Sequence, residues 1–317
     1  MSWRRIILLA ALPLLVPAAR ADSKQDQADA VVRALLGQDV EVATVGYRLV
    51  TGNAAQCAKG FVETGATLGT LAQYDAPYRA AAARVLGMTN RPTVELVVPQ
   101  SAAEQAGIKP GDVLIAADGL PFAASPPSAG ASFTPVEAAM DTLDKALADG
   151  RATVTVDRAG QLIAIELVGA PACQSRFQIS IDELDAFGTD TIWIKLSSAM
   201  VDFARTPDAL AAVMAHELAH NVLGHHKTGI GPEARRAQEL AADRLAPYLM
   251  AGAGYDPAAA VVLYRRFKAK HLGGLFTSPT YPGWGQRVKA IEAEVARIAD
   301  LRARGEPILP PTDLRPR

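Results

Sequence analysis

Cysteine is nearly missing from this chain, and long runs of one charge are missing altogether. Only Cys57 and Cys173 occur in 317 residues, and neither has a His or Cys partner at ligand spacing, which excludes a cysteine-held zinc. The net charge is −1 and no Lys/Arg block is present, so nothing points to nucleic acid or an anionic membrane surface as a partner. Beyond the N-terminus no apolar stretch is long enough for a stable membrane span, and no internal repeat is visible. Histidine is also scarce, at five residues, so a patterned pair carries information.

The N-terminus reads as an export signal. Arg4 and Arg5 form a positive end, an apolar run follows to Ala19, and Ala19-Arg20-Ala21 has small residues where a signal peptidase cuts. The run falls short of the roughly 20 apolar residues of a span. A signal peptide over 1–21 is therefore expected, with the mature chain exported: periplasmic first, secreted second. In such a compartment Cys57 and Cys173 are expected to form a disulfide.

Glycine and proline punctuate the remainder. An amphipathic helix is expected over 25–36, stopped by Gly37, then an alternating strand over 40–50 and a helix from Pro77 to Leu86. After the Asn90-Arg91-Pro92 turn comes a β-rich run, then S-A-A-E-Q-A-G-I-K-P-G-D-V-L over 101–114. Ser101 caps a short helix that Gly107 ends, Pro110-Gly111-Asp112 turns the chain, and a buried strand leads to the Asp118-Gly119 hairpin. This stretch resembles a PDZ domain of the bacterial type, over about 90–170. The resemblance implies a groove helix at 135–149, closing strands at 152–156 and 162–167, a carboxylate-binding loop near 86–93, and a C-terminus or an extended segment as ligand. Strands are then expected at 181–184 and 191–196, helices at 208–223, 232–249, 257–270 and 285–304, and a loose tail over 306–317.

The chemistry sits at His216-Glu217-Leu218-Ala219-His220. Residues four apart on a helix share a face, so both imidazoles can reach one metal ion, while Glu217 lies beside it, placed to take a proton from a bound water. A catalytic site needs a third protein ligand. Glu239, four residues before Asp243 on the next helix, is one candidate; His226 is the other, at the place of the third His of the metzincin pattern. That pattern wants Gly at position 223, where this chain has Leu223. His225 and His226 suit the negative end of the helix.

H-E-L-A-H-x-x-x-G-H-H followed by E-L-A-A-D-R resembles the gluzincin zinc peptidases of the CAAX prenyl protease type, in their soluble exported branch. The resemblance implies one zinc ion held by His216, His220 and Glu239, with Glu217 as base and Asp243 behind a ligand. Thr280-Tyr281-Pro282-Gly283-Trp284-Gly285-Gln286-Arg287 continues it. There Arg287 matches the family's Arg, and Tyr281 replaces the usual His as a candidate oxyanion donor.

The expected fold is α+β: a mainly helical zincin core with a small sheet, split into 22–89 and 171–305 by the PDZ-like module at 90–170. The expected activity is zinc-dependent endopeptidase cleavage of protein or peptide substrates, with misfolded envelope proteins as the class and the 191–196 strand as a free edge for substrate. The alternative is a PDZ-mediated chaperone or adaptor with a latent zinc site, shut by a lid at Gly229-Ile230-Gly231.

Overall fold

A computed structural model describes residues 18–58, 60–126, 129–180, 186–189, 192–225, 229–270 and 282–315. In chain order the elements are α1 (Ala18–Gly52), β1 (Gly60–Glu63), β2 (Ala66–Gly69), α2 (Ala76–Leu86), β3 (Thr93–Val97), α3 (Ala102–Ala106), β4 (Val113–Ala117), β5 (Leu120–Pro121), α4 (Thr134–Ala146), β6 (Arg151–Arg158), β7 (Gln161–Val168), β8 (Ala170–Cys173), β9 (Arg176–Ser180), β10 (Ala186–Thr189), β11 (Trp193–Ser197), α5 (Ser198–Ala204), α6 (Pro207–Leu223), α7 (Pro232–Gly252), α8 (Ala258–Ala269) and α9 (Trp284–Ala303). The result is an α+β fold, as expected. The apolar stretch expected to be an export signal lies, up to residue 17, outside the described residues.

Two hydrophobic cores form. The larger packs α1, the β9–β11 sheet and α5 to α9 together, through Val42, Leu49, Ile194, Leu210, Met214, Leu249 and Ile298. The smaller lies under the sheet β2-β3-β4-β6-β7 and is closed by α4, through Leu68, Leu114, Val136, Leu143, Val154 and Leu167. Its first members are Ala66 and Leu68, so the module's core reaches back well before the expected start at 90. Entry and exit of the module are held as a ribbon: β1 pairs antiparallel with β8, Gly60 opposite Cys173. Beside that ribbon Cys57 and Cys173 are bonded, their Cα atoms 5.4 Å apart.

Three expectations change. The helix–strand break at Gly37 does not occur; α1 is continuous to Gly52. The valines of 40–50 that alternate in sequence bury Val42, Val45 and Leu49, which is helical spacing. Gly46 is needed for its size, since a Cβ there would stand 2.4 Å from the Phe177 ring. The strand expected at 191–196 is β11, but it runs between β10 (antiparallel) and β9 (parallel), so it offers no free edge. The strand expected at 181–184 lies outside the described residues. The tail is not loose over its described part: Leu314 is buried and Asp313 takes a 2.7 Å ion pair from Arg244. Proline-rich composition signalled missing helix there; it did not signal missing contacts.

The disulfide closes a loop of 116 residues. Removing it in a Cys57→Ala/Cys173→Ala variant is expected to lower unfolding stability by about 5 kcal/mol in the chain-entropy account. Urea unfolding of the variant beside the oxidised protein measures this.

Candidate metal centre

The helix that carries the histidines is set by its first turn. Thr206 caps α6, its Oγ1 accepting from Ala209 N at 3.2 Å, and Pro207 supplies the preset φ of a first helical residue. From Ala209 to Ala219 every residue is buried, His216 and Glu217 among them. Polar groups in such a place require partners. They come from α7, which packs along α6 and presents Glu239 and Asp243 from consecutive turns.

His216 Nε2 is 3.2 Å from His220 Nε2 and 3.4 Å from Glu239 Oε2, and His220 Nε2 is 3.6 Å from Glu239 Oε1. Donors each about 2.0–2.1 Å from a tetrahedral zinc ion stand about 3.3 Å apart, so this triangle has the edge lengths of a zinc ligand set. Two imidazoles and a carboxylate are also zinc's ordinary donors, and the residues present fit the ion. Among the described residues this is the cluster of His, Cys, Asp and Glu that could hold a metal. The structure thus brings Glu239 to the two histidines. His226, the rival third ligand, lies outside the described residues, as do Tyr281 and His271.

Behind the triangle sits a buried ion pair. Asp243 Oδ1 is 3.1 Å from His216 Nδ1, and Arg287 grips the same carboxylate with two bonds, Nε to Oδ2 at 2.7 Å and Nη2 to Oδ1 at 2.8 Å. Arg287 is fully buried, its guanidinium over the rings of Tyr264 and Trp284 at 5.2 Å each. Its Nη2 also stands 3.5 Å from Glu239 Oε2. One arginine from α9 thereby fastens α7 to α6. Burial works against charge on Asp243, yet Arg287 and the His216 bond outweigh it and hold that carboxyl far below the usual carboxylate range. Glu239 is lowered in the same sense: burial opposes, and His216, His220 and Arg287 prevail.

The two imidazoles split. Burial alone would strip the proton from His216, but the Asp243 and Glu239 carboxylates beside it outweigh that and raise it to about 10. His220 is pushed down to about 3, by burial first and then by the charge on His216. Without metal the pair therefore carries its one positive charge on His216, and His220 is held neutral.

Glu217 lines a small cavity with His216, Met200, Val213, Tyr264, Phe267, Trp284 and Arg287. Of the three candidate ligands, His216 is the one that shares this cavity with Glu217. Two further side chains meet the histidines in the structure. Tyr264 of α8 lies edge-on to His216, ring centroids 6.3 Å apart, and burial together with Asp243 drives its hydroxyl well above its ordinary pKa, which keeps it protonated. His225 places its Nδ1 3.1 Å from Nδ1 of His220. No spacing rule reaches Tyr264, which is brought in by the packing of α8 on α6. The sequence does hold a signal for His225, the Gly224 before it.

Two family models match parts of the chain. Residues 155–231 match the model of peptidase family M48. The matched span begins in β6 and ends just before α7, so it contains His216, Glu217 and His220 but not Glu239. Residues 93–129 match the model of a PDZ domain, β3 through the loop before α4. No curated protein matches the chain. In the module, a cavity beside α4 is lined by Val136 and Met140 on one side and by Gly65–Leu68, at β2, on the other. The binding loop expected near 86–93 does not line it.

Zinc uptake by the metal-free protein must displace the proton on His216. Affinity is expected to rise with pH, about tenfold per unit, throughout the range below about 10, where His216 loses its extra proton, and then to level off. At pH 8 about one proton should be released per zinc bound. Calorimetry in buffers of different ionisation enthalpy counts it.

Proposed function

We propose that this protein is an exported zinc endopeptidase that cleaves unfolded or unassembled proteins of a bacterial envelope, with its PDZ module presenting or sensing their C-termini. The observation that carries this reading is the convergence of His216, His220 and Glu239, with Glu217 alongside, in a chain that matches a peptidase family over 155–231. An intact Glu217 favours catalysis over mere binding, because a binder has no use for a base. The match supports proteolysis in general; the CAAX prenyl protease branch, the compartment and the substrate class rest on the sequence resemblance and on the signal-like N-terminus.

Zinc, when bound, acidifies a water and polarises the scissile carbonyl. Glu217 takes the proton from the attacking water and returns it to the leaving amine. Asp243 and Arg287 hold His216 in the tautomer whose Nε2 lone pair faces the site. Substrate lies as an added strand on β10, which packs against α6 and has β11 on one side only among the described residues. Pairing through main-chain bonds suits a peptidase that accepts many sequences.

Glu217→Gln is expected to lower casein cleavage by about 10²–10⁴-fold while leaving the bound zinc in place. Activity lost to a chelator and regained on adding zinc belongs to the same outcome. Undiminished cleavage in the Gln variant would remove Glu217 from the reaction.

A further inference from the structure

His225 lies outside the ligand triangle, yet it touches a ligand. Five residues apart on a continuous helix, 220 and 225 would point about 140° away from each other. They meet because α6 ends at Gly224 in the left-handed conformation, φ +70°, where a side chain at Cβ would be strained. The chain folds back: Gly224 N bonds Asn221 O at 3.2 Å and His225 N bonds His220 O at 2.9 Å. The two rings end with centroids 5.1 Å apart and Nδ1 facing Nδ1 at 3.1 Å. Asn221, on the same last turn, is anchored to Ser175 by a 2.8 Å bond, which holds the turn in place.

The orientation has a consequence for tautomers. His220 turns Nε2 toward His216 and Glu239, so that nitrogen must carry the lone pair for a metal. Its proton then sits on Nδ1 and needs an acceptor. The group 3.1 Å away is His225 Nδ1, which accepts only when His225 keeps its own proton on Nε2. We infer that His225 is a positioning residue for the metal centre: a neutral imidazole that accepts the Nδ1 proton of His220 and locks its ring for zinc. This rests on the zinc reading above. The two ligand histidines are thus backed differently, His216 by the Asp243 carboxylate and His220 by an uncharged ring.

The test is zinc affinity, read by competition with a chromogenic chelator, beside the melting temperature of the metal-free protein. His225→Ala should weaken zinc binding about 10–100-fold with the metal-free melting temperature nearly unchanged. His225→Asn, whose side-chain oxygen can stand where Nδ1 stood, should recover most of that loss. Wild-type affinity in the Ala variant overturns the inference and leaves the zinc reading intact. A loss that Asn does not restore, with a matching fall in melting temperature, also overturns it and makes His225 a helix cap only. Absence of zinc binding in the wild type overturns both readings.

Discussion

Three polar side chains aimed at one point between apolar helices lose their hydration, and close polar partners must balance that loss. The Asp243–Arg287 pair supplies that balance. Its bidentate geometry and complete burial make it the joint on which α6, α7 and α9 meet. Removing either partner would strand a buried charge, a far larger penalty than the pair's own net contribution. The ligand triangle depends on this joint: Asp243 turns His216, and Arg287 draws Glu239 toward the same place.

Around this joint the rest of the chain acts as support. The inserted module enters and leaves through the β1–β8 ribbon and the Cys57–Cys173 bond, and its α2 also packs on α1. Immediately beyond the ribbon, Arg176 of β9 pairs with Asp144 of α4, and Phe133 meets Trp193 of β11 edge-on at 5.6 Å. The cavity beside α4 is accordingly walled in part by Gly46 and Tyr47 of α1 and by Trp193, residues of the larger core's own elements. Module and core thus share a surface beside the sheet that packs on α6.

Much of the site was legible because its chemistry demands fixed spacing. The pairs 216/220 and 239/243 had to share helix faces, and the structure sets those faces against each other. Local punctuation was also reliable where a cap or a positive φ was involved: Ser101, Gly107 and Gly224 end or begin helices as their residue types require. The failures have a common cause. Val40 to Val50 satisfies both a strand and a helix period, and only burial against the sheet and α6 decides for helix. The edge position of β10, the tail's docking at Leu314 and the approach of Tyr264 are long-range outcomes with no local signature. His225 was read as a partner of the helix dipole because a straight helix, without the fold-back at Gly224, would have pointed it away.

The central claim is that two histidines and Glu239 together hold one ion. Metal content of the purified protein by plasma mass spectrometry tests it most directly. The account predicts one zinc per chain in the wild type and almost none in Glu239→Ala. Stoichiometric zinc surviving in that variant, or none in the wild type after zinc is supplied, would contradict it.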